Sequence, residues 1–309
     1  MDFHSEVTLA LEQGLGPSAI IICLAAVGLN VHFGYTGLLN FGQAAFMAVA
    51  GYGVASMVAT WGLNFWFGCL VGIGLCIVLA LLLGIPTLRL RADYLAIVTI
   101  AAAEIIRFVI GASSLREYFG GQDGLQQYTS AFYDLNPYNG EVNILGLSWS
   151  RADFWVMTVG WALVAICCVA IYLLMRSPWG RVLKGIREDE DAVRSLGKNV
   201  YAYKMQSLMI GGVIGGFAGI VSGLYQSVQP TNFATDITFY AWTVLLLGGA
   251  ARVVGPILGA VIFWFLISFL VNFFDDATQP PDPLIPASIM DPQQASLMRF
   301  IFLGLALML

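Results

Sequence analysis

Long apolar runs alternate with short polar connectors along the whole chain. A helix that crosses a bilayer needs about 20 apolar residues, fewer when it is broken or re-entrant. On that criterion the runs 17–33, 38–60, 65–85, 94–111, 154–175, 205–228, 239–251, 255–274 and 294–309 predict nine membrane elements. The expected fold is an all-α polytopic membrane protein of about eight to ten helices, broken and half helices included. The run 17–33 is short, and 239–251 crosses only as a half-helix. The last run is still apolar at Leu309, so a cytosolic tail beyond it is expected.

Two runs carry stripes of small residues. One places Gly68, Gly72, Cys76, Ala80 and Gly84 four apart; the other places Gly211, Gly215, Gly219 and Gly223 four apart, with Gly212 and Gly216 beside them. Such a face is nearly bare backbone, and close backbone approach drives helix association in lipid. Both faces are expected to pack within the subunit.

Composition supports the same class. The chain has 309 residues, 59% of them hydrophobic and 11% charged, with mean hydropathy +0.80, well outside soluble norms. A net charge of -5 and a pI of about 4.9 argue against a nucleic-acid partner. Cys23, Cys69, Cys76, Cys167 and Cys168 all fall in apolar runs without metal-ligand spacing, as small core residues do. The N-terminus lacks the basic region of a signal peptide, so the first run is expected to be an uncleaved span.

Charge sets the topology. Segment 176–204 holds Arg176, Arg181, Lys184, Arg187, Arg194, Lys198 and Lys204, seven of the 14 basic residues and every lysine. Basic residues between two apolar spans mark the cytoplasmic side. The Arg89/Arg91 turn then falls inside as well. Loop 112–153 falls outside, as do the N-terminus and segment 275–293, which has four aspartates and no Lys or Arg.

Within 176–204, Glu188, Asp189, Glu190 and Asp191 cluster where a helix dipole begins. Ala192, Val193 and Leu196 follow, the last two spaced three apart on one face, and Gly197 supplies a helix-ending residue. A short amphipathic helix over 188–196 is predicted. The segment is either a topology signal alone or a docking element for a cytosolic partner.

Polar residues at membrane depth are the other candidates. Glycines beside Asn40 and Gln43 in 34–43 point to a broken helix whose freed backbone lines a cavity, or to a Gly-rich turn at the inner surface. Asp93 is a candidate N-cap for the run leading to Thr99. Glu104 is a carboxylate well inside a predicted span, where ionisable groups are costly and usually functional. Arg107 lies one turn on, so the two form either a structural ion pair or part of a solute path or gate. The outer loop carries Gly120-Gly121-Gln122-Asp123-Gly124-Leu125 with aromatics around it, and a loop of that length normally has structure of its own or binds something.

Several of these segments together resemble one family. Ser177 to Ala192 fits S-x-x-G-R-x-x-x-x-I-R-E-D-E-x-A, with Leu196-Gly197 following. This looks like the coupling loop of permease subunits in branched-chain amino acid ABC importers, the LivM type. The run from Gly37 through Phe46 is similar to that family's G-x-x-x-F-G-Q-A-A-F segment, and Leu88 through Thr99 to its L-R-x-R-x-D-Y-x-A-I-V-T segment. Gly120–Leu125 resembles a GG-x-x-GL run, and Gly248 to Ala260 a G-G-x-G-x-x-x-G-P-x-x-G-A turn. Ala251 stands where that turn usually has glycine, which puts the local backbone geometry in question.

The resemblance implies a single transmembrane permease domain over 1–309, a multi-pass protein of the bacterial inner membrane. Its partners would be a second related permease, two cytosolic ATP-binding subunits and an extracytoplasmic substrate-binding protein, with membrane lipid around it. Arg187, Glu188, Asp189, Glu190, Ala192, Val193, Leu196 and Gly197 would couple it to the ATPases. Asn40, Gln43, Thr99 and Glu104 would lie along the solute path. Similar permeases serve urea and other amino-acid-like solutes, so the solute stays open.

The sequence contains no G-x-x-x-x-G-K-[ST], so ATP would have to be bound by another subunit. Having only His4 and His32 and no H-E-x-x-H argues against an intramembrane zinc protease, and no cofactor is expected. A secondary transporter with broken helices would account for Glu104 and the glycine runs but would not need the 188–197 element. An integral membrane enzyme lacks any constellation of nucleophile, base or ligands.

Overall fold

The computed structural model of the chain describes residues 3–88, 92–144 and 146–278, together with 297, 298, 301 and 304. Polar connectors fix where its apolar runs become helices. Gly16 separates α1 (Phe3–Leu15) from α2 (Pro17–Leu29), and Pro17 sits in the first turn of α2, where its missing N–H is no loss. α2 runs on into a π-helical turn, Asn30–Tyr35, after which the chain leaves helical geometry until α3 (Gln43–Ala59). Asn64 caps α4 (Phe65–Thr87) by accepting the Trp66 N–H. α5 (Ala92–Ile110) follows.

The connector after α5 contains two one-turn helices, α6 (Arg116–Phe119) and α7 (Ser130–Tyr133). A small antiparallel hairpin, β1 (Val142–Ile144) with β2 (Leu147–Trp149), completes it. Ser150 then caps α8 (Arg151–Arg176). α9 (Pro178–Glu188) and α10 (Glu190–Ser195) form a helical pair, and Asn199 caps α11 (Val200–Tyr225). α12 (Thr235–Gly248) and α13 (Gly255–Thr278) end the continuous description.

Among the described residues, five helical segments are long and apolar enough to cross a membrane: Pro17–Tyr35, Phe65–Thr87, Arg151–Arg176, Val200–Tyr225 and Gly255–Phe274. A sixth forms if α5 and the segment bent 60° from it count as one span. α12 has 14 residues, which at about 1.5 Å each reach only part-way across, as a half-helix should. The expected span 38–60 is helical only from Gln43. α5 is described from Ala92, and the expected cap, the Asp93 side chain, lies outside the described residues. The Arg89/Arg91 turn and nearly all of the expected run 294–309 lie outside the described residues. α1, which no predicted span covered, packs beside α13: a Cβ on Gly14 would sit 3.2 Å from the Val261 carbonyl.

Both small-residue stripes pack inside the subunit. A Cβ on Gly72 would come 2.8 Å from the Ala50 carbonyl of α3, and Cys76 donates its S–H to the Phe46 carbonyl at 3.4 Å. On α11 a Cβ on Gly219 would meet the Met47 carbonyl at 2.0 Å. The bare faces of α4 and α11 thus sandwich α3, and α11 also backs onto α2. In lipid such backbone approach replaces the hydrophobic drive that water would supply.

The connector 112–153 gathers at the same end of the bundle as the start of α2 and the end of α11. Leu125 bridges to Val228 in antiparallel pairing, while the hydroxyls of Tyr128 and Tyr133 donate to the Gly223 and Leu224 carbonyls. Burial pushes the Tyr128 hydroxyl well above the usual phenol range, so it remains a donor. Glu12 of α1 accepts the Ser148 N–H of the hairpin at 2.6 Å. α9 and α10 lie at the opposite end, beside the turn that follows α2.

Candidate functional site

The break between α2 and α3 is built from side chains that stand in for lost helix hydrogen bonds. Asn40 is fully buried, its Oδ1 accepts the Gly42 N–H at 2.8 Å, and its amide donates to Gln43 Oε1 at 3.2 Å. The same amide lies 3.1 Å from His32 Nδ1, while His32 Nε2 lies 3.1 Å from the Leu208 carbonyl. Gln43, also fully buried, donates to the carbonyls of Ala25 and Gly211 at 3.3 and 3.4 Å. It fits because its neighbours are glycines: a Cβ on Gly215 would lie 2.3 Å from Gln43 Nε2.

Thr99 of α5 reaches the same place. Its hydroxyl accepts the Phe41 N–H at 3.0 Å and donates to the Ala96 carbonyl. From α12, Thr238 accepts the Ala44 N–H at 2.9 Å, and the Trp242 indole donates to the Asn40 carbonyl at 3.1 Å. Buried backbone groups require such partners, since each unmet one costs about 1–3 kcal/mol. The structure therefore brings Asn40, Gln43 and Thr99 together, all turned toward protein partners.

Glu104 stands apart from them. Its carboxylate accepts from Arg107 Nη2 at 2.6 Å and Nε at 2.9 Å, and from the Thr235 hydroxyl at the start of α12. This ties α5 to α12, with the pair only partly covered: 26% of Arg107 and 30% of Glu104 remain exposed.

A second tie lies at the foot of the break. Asn30 accepts the Ala251 N–H at 2.8 Å and donates to the Arg252 carbonyl at 2.9 Å, closing the α12–α13 turn onto the π turn. Ala251 has φ +63°, in the left-handed region where glycine is at ease. Ala251 thus holds a conformation that glycine adopts without strain.

The element after α8 differs from the single helix 188–196. Two helices meet at Asp189, whose extended backbone (φ −153°) breaks the chain and whose carboxylate accepts the Ala192 N–H at 3.0 Å. The acidic cluster is thus divided. Glu188 ends α9, Asp189 caps α10, and Glu190 pairs with both Arg194 and Lys204. Gly197 has φ +77° and ends the element as expected.

Val193 and Leu196 do not share a face in the sense predicted. Val193 is buried against Gly185 of α9, whereas Leu196 is 79% exposed. Arg187 turns back into the membrane domain, where its guanidinium donates to the Gly34 carbonyl. Its stem packs over Gly37, whose φ of +76° lets the chain turn there.

Sequence reasoning missed Asn30, His32, Thr238, Trp242 and Lys204. A signal for the first two was available, as polar residues two apart near the end of an apolar run. The roles of the others depend on contacts between distant elements.

Two cavities lie at opposite ends of the helices around the break. The one beside α9 and α10 has a volume of about 310 Å³ and is lined by Thr36, Gly37, Arg187, Glu190 and Lys204 among others. The other, of about 360 Å³, lies at the opposite end between the starts of α2 and α12, the end of α11, and α13.

Comparison with known proteins adds a family. A family profile described as "Branched-chain amino acid transport system / permease component" matches residues 14–307. The chain is 33% identical over 256 residues to the high-affinity branched-chain amino acid transport system permease protein LivM of Escherichia coli (strain K12), covering 79% of this chain and 60% of that protein. The corresponding protein of Salmonella typhimurium shows the same identity and coverage. A probable branched-chain amino acid transport permease protein LivM of Methanocaldococcus jannaschii is 27% identical over 290 residues, 81% of this chain and 78% of that one. The chain thus spans 60% of the length of the two bacterial relatives.

Proposed function

The chain belongs to the family of permease components of branched-chain amino acid transport systems, and from that premise we propose that it is the membrane subunit of an ATP-driven importer of branched-chain aliphatic amino acids. It is a multi-pass membrane protein, in bacteria one of the inner membrane. The chain pairs with a second related permease. Two cytosolic ATP-binding subunits drive the pair, and an extracytoplasmic binding protein delivers solute. Segment 176–204 is the cytosolic coupling loop and 112–153 the extracytoplasmic one. ATP is bound and hydrolysed by the partner subunits, not by this chain.

One observation carries this reading: an exposed helical pair is joined to the buried break by Arg187. Leu196, exposed just past the end of α10, is the apolar contact offered to an ATPase groove, with Ala192 one turn before it. Val193, Asp189 and Gly197 hold the pair in shape, and Glu190 fixes it to Lys204 at the foot of α11. Arg187, following Ile186 and preceding Glu188, passes displacement of the pair to the Gly34 carbonyl. From there Asn30, His32 and Asn40 connect to the α12–α13 turn, α11 and α12. Asn40, Gln43 and Thr99 act on the solute path by fixing the break, and Glu104 by fixing the start of α12. Affinity purification of the tagged chain from native membranes tests the assembly: a second permease and a P-loop ATPase should co-purify, and their absence from a functional preparation would contradict it.

A further inference from the structure

The cavity at the α2–α12 end is divided by chemistry. Ile21 and Ile22 of α2 and Ile237 of α12 form an aliphatic wall, and Ser222, Asp236 and Trp264 supply polar groups. Its volume of about 360 Å³ lies within the span usual for small-molecule sites.

Among the described residues, one of its polar groups is a buried donor without a partner, and another is an exposed carboxylate with no cation beside it. Asp236 pairs with no cation among the described residues. The indole N–H of Trp264 is buried and has no acceptor there. Buried donors are nearly always satisfied in folded proteins, so this one is available to a ligand. Ser18, in the first turn of α2, also lines the cavity, close to the α2 N-terminus, whose N-cap Gly16 offers no side-chain cap.

We propose that this cavity binds the free solute within the subunit as a zwitterionic aliphatic α-amino acid. Its ammonium pairs with Asp236, its carboxylate takes the start of α2 and the Trp264 N–H, and its side chain lies on Ile21, Ile22 and Ile237. Urea would leave both the carboxylate and the aliphatic wall unused, and a fatty acid would place its own charge without answering Asp236. This assignment builds on the amino-acid importer proposed above and adds where and how the solute is held.

Radiolabelled leucine binding to the assembled permease–ATPase complex in nanodiscs, without binding protein, tests it. Wild-type complex should bind leucine, and unlabelled isoleucine should displace the label. Leucinamide, isovalerate and urea, which lack the carboxylate, the ammonium or both, should displace it poorly. Asp236→Asn should weaken binding by about tenfold or more, the cost of losing a charge-assisted contact. Asp236→Glu should restore most of it, and Ile237→Trp should abolish binding by filling the cavity. Uptake of leucine by the wild-type complex together with unaltered binding in Asp236→Asn and Ile237→Trp would overturn the site alone. A wild-type complex that neither binds nor transports any branched-chain amino acid would overturn the importer assignment and the site with it.

Discussion

The guanidinium of Arg187 donates to the carbonyl of Gly34 across 153 positions of sequence, joining the α9–α10 pair to the π turn that ends α2. A hydrogen bond from a charged donor contributes about 1.5–3 kcal/mol. A lysine at 187 keeps the charge but has no planar fork and a different reach. Arg187→Ala should leave the complex assembled while ATP hydrolysis loses its stimulation by solute-loaded binding protein, and Arg187→Lys should recover only part of it. Stimulated hydrolysis in proteoliposomes is the measurement, and full coupling in Arg187→Ala would remove this link from the mechanism.

Leu196 and Val193 should respond in opposite ways to the same substitution. Burying a leucine on docking contributes about 1.5–3 kcal/mol, so Leu196→Asp should weaken ATPase retention by about tenfold or more while the melting temperature in detergent holds. Val193→Asp places a charge between α9 and α10 and should lower that temperature as well. A pull-down paired with a thermal melt separates them, with Lys198→Gln as the exposed control.

Substitution at Asn40 should affect the fold before it affects solute. Asn40→Leu leaves the Gly42 N–H, Gln43 and His32 without their partner, at about 1–3 kcal/mol for each orphaned group. Markedly earlier unfolding in a detergent melt is expected. An unchanged melt with altered uptake would make Asn40 a solute contact instead.

Ala251 is held at φ +63° by its N–H bond to Asn30. A left-handed alanine costs about 1–2 kcal/mol. Ala251→Gly should therefore raise the melting temperature, by less than that energy alone implies because glycine also loosens the unfolded chain. A lowered melt would show that the strain argument fails here.

Glu104→Gln should retain an acceptor for Thr235 while losing the charge paired with Arg107. The Gln oxygen can still accept from Arg107 as well, so the tie from α5 to α12 is kept. Uptake close to wild type is expected. Loss of uptake in an intact complex would make Glu104 a solute contact instead of a structural tie.

Much of this architecture was legible from residue pattern, for definite physical reasons. Hydropathy marks spans because lipid demands apolar surface, and glycine stripes mark packing because only bare backbone lets helices approach as α4 and α3 do. The break at 34–43 was legible from Gly37, Asn40 and Gln43. What lay hidden depended on direction and distance. Three-residue spacing placed Val193 and Leu196 on one side of a helix, but the break at Asp189 folds α10 onto α9 and buries only Val193. Arg187 looked like one more basic residue of an inner loop, since no local pattern reveals that its partner is the Gly34 carbonyl. The half-helix α12 was visible in its length, whereas the indole of Trp242 reaching Asn40 was not.

The central claim is that this chain moves branched-chain amino acids with energy supplied by separate ATPases. Radiolabelled leucine uptake into proteoliposomes holding the chain, its partner permease and the ATPases tests it directly. Accumulation that requires both ATP and solute-loaded binding protein, and that stops when the ATPases are omitted, is the predicted result. Leucine uptake driven by an ion gradient with no ATPase present, or ATP hydrolysis by the purified chain alone, would contradict it.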